Sequence, residues 1–277
     1  MPVPLLVPPP VAAAVPPRVP RPDPLAPPPP GLVHVWRVPL SGPAADDSLA
    51  VAGQVLGADE AARAARFVLR EDRRRWTAAR VALRTLLAGY LGVAPGRVTL
   101  EYGRRGKPRL PGQGADGLRF SLSHSRDRAL VAVCRGAEVG VDLEHLSAGP
   151  ARAADLDDLA GAVLAPEELR AYLLLPPARR RAALLRRWTG KEAVLKATGH
   201  GVTLPAARRL VVPDGTGTPR GVPGAWTLLR PRPGEGFTAA VTVRGRNWTH
   251  VCTDFLPAHH GTRYGPAPAP ERPTHST

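Results

Sequence analysis

Two stretches decide how this chain folds: EVGVDLEHL at residues 138–146 and RRWTGKEAVLKATGHG at residues 186–201. The first alternates with the period of a β-strand, so Asp142 and Glu144, two positions apart, project from the same side. The second reads as a helix on which Trp188, Glu192 and Lys196, at i, i+4 and i+8, form one stripe. Carboxylates converging from a strand and a helix suit a hard cation, and an ammonium beside them suits that cation's phosphate ligand. Each piece also has an ordinary reading when taken alone. Asp-x-Glu occurs on solvated strand faces, and Glu192 followed by Lys196 is the favourable orientation of a surface ion pair worth about 0.2–0.5 kcal/mol.

Working outward, the pattern alternates between helices and strands. LVHVWRV (32–38) has strand periodicity, and residues 58–91 read as one helix. On that helix Trp76, Leu83, Leu87, Tyr90 and Leu91 share a face, Arg73, Arg74, Arg80 and Arg84 supply a basic surface, and Gly92 is the C-cap. Three short strands follow at 118–125, 129–135 and 138–146. Helices over 151–175 and 177–198 come next, with Gly199 and Gly201 ending the second, then strands at 209–212, 225–230, 237–244 and 248–255. Helices plus antiparallel strands, twice over, predict an α+β fold of two similar α/β halves, 31–138 and 139–257, each with helices packed on an antiparallel sheet. The proline-rich start, with 14 prolines in residues 1–30, and the stretch 258–277 read as disordered tails.

The bulk composition restricts the class. A chain of 277 residues with 43% hydrophobic content can bury a substantial core. Two cysteines, Cys134 and Cys252, are too few for a disulfide framework and fit a reducing cytoplasm. The apolar start lacks a basic n-region, which argues against a signal peptide, and no uninterrupted apolar run is long enough to span a bilayer as a helix, so a soluble protein is expected. A net charge of +15 favours a polyanionic partner: nucleic acid, an acidic protein or a phosphorylated small molecule. A metal-dependent nuclease and a non-catalytic basic nucleic-acid-binding protein are therefore the alternatives to weigh. The first has no further nuclease feature here, and the second leaves the three carboxylates unexplained.

GVDLE followed by WTGKEAVLK resembles the paired signature of 4′-phosphopantetheinyl transferases, and YGRRGKPRL (102–110), FSLSHS (120–125) and the helix 65–92 extend the match in order. Over residues 32–256 the chain looks like the longer, monomeric surfactin type. The resemblance implies transfer of the 4′-phosphopantetheine arm of coenzyme A to a serine of an acidic apo carrier protein, with release of adenosine 3′,5′-bisphosphate. Fatty-acid, polyketide and nonribosomal-peptide carriers all remain open, and no nucleic-acid or membrane partner is implied. It assigns Mg²⁺ to Asp142, Glu144 and Glu192, and the diphosphate to Lys196. Lys107, Ser123 and His124 match residues at the nucleotide end, and Arg63 matches a 3′-phosphate contact. Glu60 stands where a second basic residue can occur, so that contact is absent or falls to Arg66 or Arg70. Glu168, or Glu167 one register away, aligns with an acid that deprotonates the serine. Lys191, about 100° round the helix from Glu192, orients a carboxylate or faces solvent.

Overall fold

The computed structural model describes residues 24–112, 117–147, 153–199 and 201–255. In chain order the elements are β1 (Leu32–Pro39), α1 (Gly42–Ala50), α2 (Ala52–Val55), α3 (Ala58–Ala65), α4 (Arg70–Leu91), β2 (Glu101–Tyr102), β3 (Pro108–Arg109), β4 (Leu118–Ser125), β5 (Arg128–Arg135) and β6 (Val139–His145). There follow α5 (Ala153–Val163), α6 (Pro166–Leu173), α7 (Pro177–Thr198), α8 (Leu204–Arg209), β7 (Trp226–Leu229), β8 (Phe237–Arg244) and β9 (Thr249–Asp254).

The fold is α+β, and alternation along its strands sorts side chains into layers. In the first sheet, ordered β4-β5-β1-β9, Trp36, Val38, Phe120, Ala129, Val131 and Val133 face α4, where they meet Leu83, Leu86 and Leu87. Their neighbours Val33, Val35, Leu130, Ala132 and Cys134 face the other way, onto Val139, Val141, Leu143, Val241 and Val243 of the second sheet, ordered β6-β8-β7. Two sheets thus pack face to face, with α4 outside one and α7 against the other. The pairings β4–β5, β1–β5, β6–β8 and β7–β8 are antiparallel. The chain's last strand, β9, pairs in parallel with β1, so the first sheet is completed from the far end of the sequence.

Local differences from the sequence reading have physical causes. The helix expected over 58–91 is two helices, because Glu60 accepts from Arg80 Nε at 2.7 Å and from Arg84 Nε at 2.5 Å. On one straight helix those residues would be about 30 Å apart. Arg80 and Arg84 are consequently buried, not part of a basic surface. The strand expected at 209–212 begins in α8, whose first turn holds Pro205 and whose N-cap Thr203 accepts from Ala206 N. Only an isolated bridge between Val211 and Arg220 remains there. Of the expected N-terminal tail, residues 24–30 are anchored: Leu25 N donates to Gly89 O at 3.0 Å and its side chain packs on the core. Residues 1–23 and the tail 258–277 lie outside the described residues. Gly92 and Gly199 end α4 and α7 in the left-handed conformation, as the sequence predicts.

One contact sets the height of α7 above its sheet. A Cβ on Gly140 would lie 2.1 Å from Ala193 O and 2.4 Å from Ala197 N, so the helix backbone rests directly on β6. Glu192 and Lys196 flank those two contact residues and are held over Asp142, which is two positions along β6. Gly140→Ala must push the helix away. It is expected to cost about 2 kcal/mol or more and lower Tm by about 4–8 °C, read by thermal denaturation. An unchanged Tm would contradict this packing.

Candidate active site

Asp142 is 2% exposed and lies at the junction of β6, β4 and α7. Its Oδ1 accepts from Lys196 Nζ at 2.5 Å and from Ser123 Oγ at 2.8 Å, while Lys196 also donates to Ser123 Oγ at 3.0 Å and lies 3.3 Å from Glu192 Oε2. Asp142 Oδ2 is buried without a hydrogen-bond partner. Glu144, on the same side of β6, accepts from Ser125 Oγ through Oε2 at 3.0 Å. The period-two reading of the strand and the four-residue reading of the helix therefore converge in space. As the side chains stand, no group of three His, Cys, Asp or Glu among the described residues is gathered closely enough to chelate an ion, and the Lys196 ammonium pairs with both Asp142 and Glu192.

The cluster carries an excess of negative charge. Burial first, then the nearby Asp142 carboxylate, raises the Glu192 pKa to about 7, against which Lys196 acts only in part. Burial and then Asp142 raise Glu144 in the same way. For Lys196, burial opposes ionisation, but Asp142 and Glu192 outweigh it and raise the ammonium pKa. An unpartnered buried carboxylate oxygen beside two acids of raised pKa suits a divalent cation bound through oxygen.

The remaining expected site residues divide. His124 is exposed, yet its ring is crowded enough for desolvation, and then Lys196, to lower its pKa, which brings it to the edge of the same cluster. Ser123 is 7% exposed, and its hydroxyl is hydrogen-bonded to both Asp142 and Lys196. Lys107 donates to Glu138 Oε2 at 2.8 Å, Ala197 O at 3.0 Å and Val139 O at 3.2 Å. Its ammonium ties β3 to the start of β6 and the end of α7. It also borders a cleft of about 630 Å³ lined by Arg104, Arg105, Arg109 and Arg119, with Glu101 and Glu138. None of the three carboxylates lines that cleft. Arg63 is exposed at the end of α3, its guanidinium 5.6 Å from the Trp76 ring centre. Glu60, in place of a second basic contact, is the buried partner of Arg80 and Arg84.

Glu168 lies inside the protein, away from the Asp142 cluster's hydrogen bonds. It is 4% exposed; its Oε2 accepts from Ala165 N at 2.9 Å and lies 2.6 Å from Lys191 Nζ, and its Oε1 accepts from Val212 N at 2.9 Å. Lys191 is fully buried and also donates to Ala207 O and Leu210 O. Three donors already occupy this carboxylate inside a clamp of α6, α7 and α8, so as the side chains stand it is a buried ion pair and not an open base. Glu167 is exposed and paired with Arg220. Trp188 packs between the apolar clusters on either side of α7. Sequence reasoning missed Gly140 and Ser125. The signal for Ser125 was the run of hydroxyls at 121, 123 and 125, alternating with the inward-facing Leu118, Phe120 and Leu122.

Comparison with known proteins gives the family. Residues 138–234 match the model of the 4′-phosphopantetheinyl transferase superfamily, and residues 43–135 match that of the 4′-phosphopantetheinyl transferase N-terminal region. The chain is 42% identical to the 4′-phosphopantetheinyl transferase HetI of Nostoc sp. over 218 residues, covering 78% of this chain and 89% of that protein. It is also 26% identical to a 4′-phosphopantetheinyl transferase of Bacillus subtilis over 150 residues, 54% of this chain and 63% of that one. A phosphopantetheinyl transferase of Thraustochytrium sp. is 30% identical over 186 residues, 63% of each chain. These matches define a group-transferring enzyme, and the chain belongs to the 4′-phosphopantetheinyl transferase superfamily. Among the described residues no helix is long and apolar enough to cross a membrane.

Two stability measurements check these assignments. Glu168→Gln turns an amide N–H₂ toward a backbone donor and leaves the Lys191 ammonium buried without its counter-charge. A loss of about 3–5 kcal/mol, on the order of 10 °C in Tm, is expected, and an unchanged melt would contradict the clamp. Because the folded state raises the Glu192 pKa from 4.5 to about 7, it holds the proton more tightly than the unfolded state. Glu192 therefore removes stability as pH rises from about 4.5 to about 7, and the loss is constant above that range. In metal-free buffer Glu192→Gln should leave Tm nearly unchanged at pH 5 and raise it by several degrees at pH 8. A gain of equal size at both pH values would refute this electrostatic account.

Proposed function

We propose that this transferase moves the 4′-phosphopantetheine arm of coenzyme A onto a serine hydroxyl of an acidic apo carrier protein, releasing adenosine 3′,5′-bisphosphate. On this reading it acts in the cytoplasm as a monomer. The observation that carries it is the buried Asp142–Lys196–Glu192 cluster, in which two acids and an ammonium are held together with one Asp142 oxygen unpartnered.

Asp142, Glu144 and Glu192 are the residues that would hold Mg²⁺. When bound, that ion would neutralise charge on the diphosphate oxygens and polarise the phosphorus under attack. Lys196 supplies a point charge to the diphosphate. It must first leave Asp142 Oδ1, so substrate and cation compete with the internal ion pair. His124, at the edge of the cluster, and Arg63, exposed on α3, are available to the 3′-phosphate. Lys107 holds the strand and helix ends beside the nucleotide through its bonds to Val139 O and Ala197 O. No proton transfer is assigned to Glu168. The charge of +15 favours encounter with an acidic carrier.

Incubation with coenzyme A, Mg²⁺ and a panel of apo acyl, polyketide and peptidyl carriers tests the reading by intact-protein mass. At least one carrier should gain the mass of a single phosphopantetheinyl group, and Asp142→Ala should reduce the rate by at least about 10³-fold while keeping the wild-type circular dichroism spectrum. Near-wild-type turnover by Asp142→Ala would overturn the proposed mechanism.

A further inference from the structure

The hydroxyls of Ser121, Ser123 and Ser125 lie on one side of β4 and meet the edge of β6 at successive steps. Ser121 Oγ accepts from Val141 N at 3.1 Å, Ser123 Oγ donates to Asp142 Oδ1, and Ser125 Oγ accepts from His145 N at 3.1 Å. A serine hydroxyl has one hydrogen. In Ser125 the backbone N–H of His145 can only donate, so the hydroxyl hydrogen goes to Glu144 Oε2 at 3.0 Å. Ser125 thus grips Glu144 at two points, its carboxylate and the peptide immediately after it. Ser123 holds Asp142 by its carboxylate alone. Lys196 Nζ can only donate to the Ser123 oxygen, which sends that hydrogen to Oδ1 and leaves Oδ2 unpartnered.

The platform beneath Ser125 is hydrogen-bonded on both sides of its turn. It pairs with Arg128 in the last step of the β4–β5 hairpin, whose turn residue Arg126 has φ of 51°. The turn is tied to the neighbouring strand by Leu40 N donating to Asp127 O at 2.7 Å. Glu144, in contrast, has a long side chain that is only half-buried, and its Oε1 takes part in no hydrogen bond or ion pair among the described residues. Without an anchor, its carboxylate would have to be ordered at the expense of rotamer entropy each time a cation bound.

We propose that Ser125 is a positioning residue of the cation site: it holds the Glu144 carboxylate by one oxygen and presents the other to the divalent ion. This rests on the carboxylate reading of the site above. It goes further in assigning a role to a hydroxyl that would touch neither substrate nor cation. Outer partners of metal ligands typically contribute about 10–100-fold to metal affinity.

The test is Mn²⁺ binding to the full chain, without substrate, by electron paramagnetic resonance. Variants Ser125→Ala, Ser125→Thr and Ser125→Val are compared, the last two having nearly the same shape and differing in the hydroxyl. The expected result is Mn²⁺ affinity at least about 10-fold weaker in Ser125→Ala and Ser125→Val, with Ser125→Thr within about threefold of the parent. Parent-like affinity in Ser125→Val, or equal weakening in Ser125→Thr and Ser125→Val, would overturn the proposal, and the matched pair decides even if Ser125→Ala folds poorly. Asp142→Ala separates the two levels. Loss of binding there with Ser125→Val unaffected sinks only the role of Ser125, whereas retained binding in Asp142→Ala removes the carboxylate site and this inference with it.

Discussion

The absence of a side chain at Gly140 is the constraint on which the site depends. Helix–sheet packing ordinarily leaves a layer of side chains between the two backbones, and here that layer is missing at one point. Ala193 and Ala197 of α7 touch β6 there, and the residues just before them, Glu192 and Lys196, reach Asp142 directly. Any side chain at 140 would lift the helix and separate an ion pair that forms at 2.5 Å. The Lys191–Glu168 clamp braces the same helix from its other side, against α6 and α8, while Lys107 secures its C-terminal end through Ala197 O. Lys196 and Lys107 thus hold α7 against β6 while Lys191 braces it from behind, and of the three only Lys196 reaches Asp142.

Charge balance within the cluster favours the proposed reaction, which handles a diphosphate. Asp142, Glu144 and Glu192 outnumber Lys196, and burial denies them the water that would screen the difference. The excess appears as a raised Glu192 pKa and an unpartnered Asp142 oxygen. Such an internal imbalance is costly in the free protein and favours uptake of a cation together with its anionic ligand. The serine ladder of β4 makes this tolerable. It satisfies the edge of β6 with hydroxyls in place of another strand, and it binds one oxygen each of Asp142 and Glu144.

Much of the site was legible because its residues obey simple periods. Asp142 and Glu144 needed only the alternation of a strand, and Glu192 and Lys196 only the spacing of a helix turn. What the sequence concealed was which polar groups are consumed internally. Glu168, Glu60, Arg80 and Arg84 read as surface or catalytic residues because nothing local reveals a partner 20 or more positions away. Ser123 was recognisable as a site residue but not as a carboxylate's partner, since β4 and β6 meet only in the folded chain. Fold class followed from the order of helices and strands. The parallel pairing of β9 with β1 did not, because parallel neighbours distant in sequence leave no hairpin signature.

The most direct measurement of the central claim is an anomalous difference map from crystals grown with Mn²⁺ and coenzyme A. The account requires one strong peak bonded to Asp142 Oδ2 and to the carboxylates of Glu144 and Glu192, with Lys196 withdrawn from Asp142 onto the diphosphate. Coenzyme A bound with Lys196 still paired to Asp142, and the metal elsewhere, would contradict it.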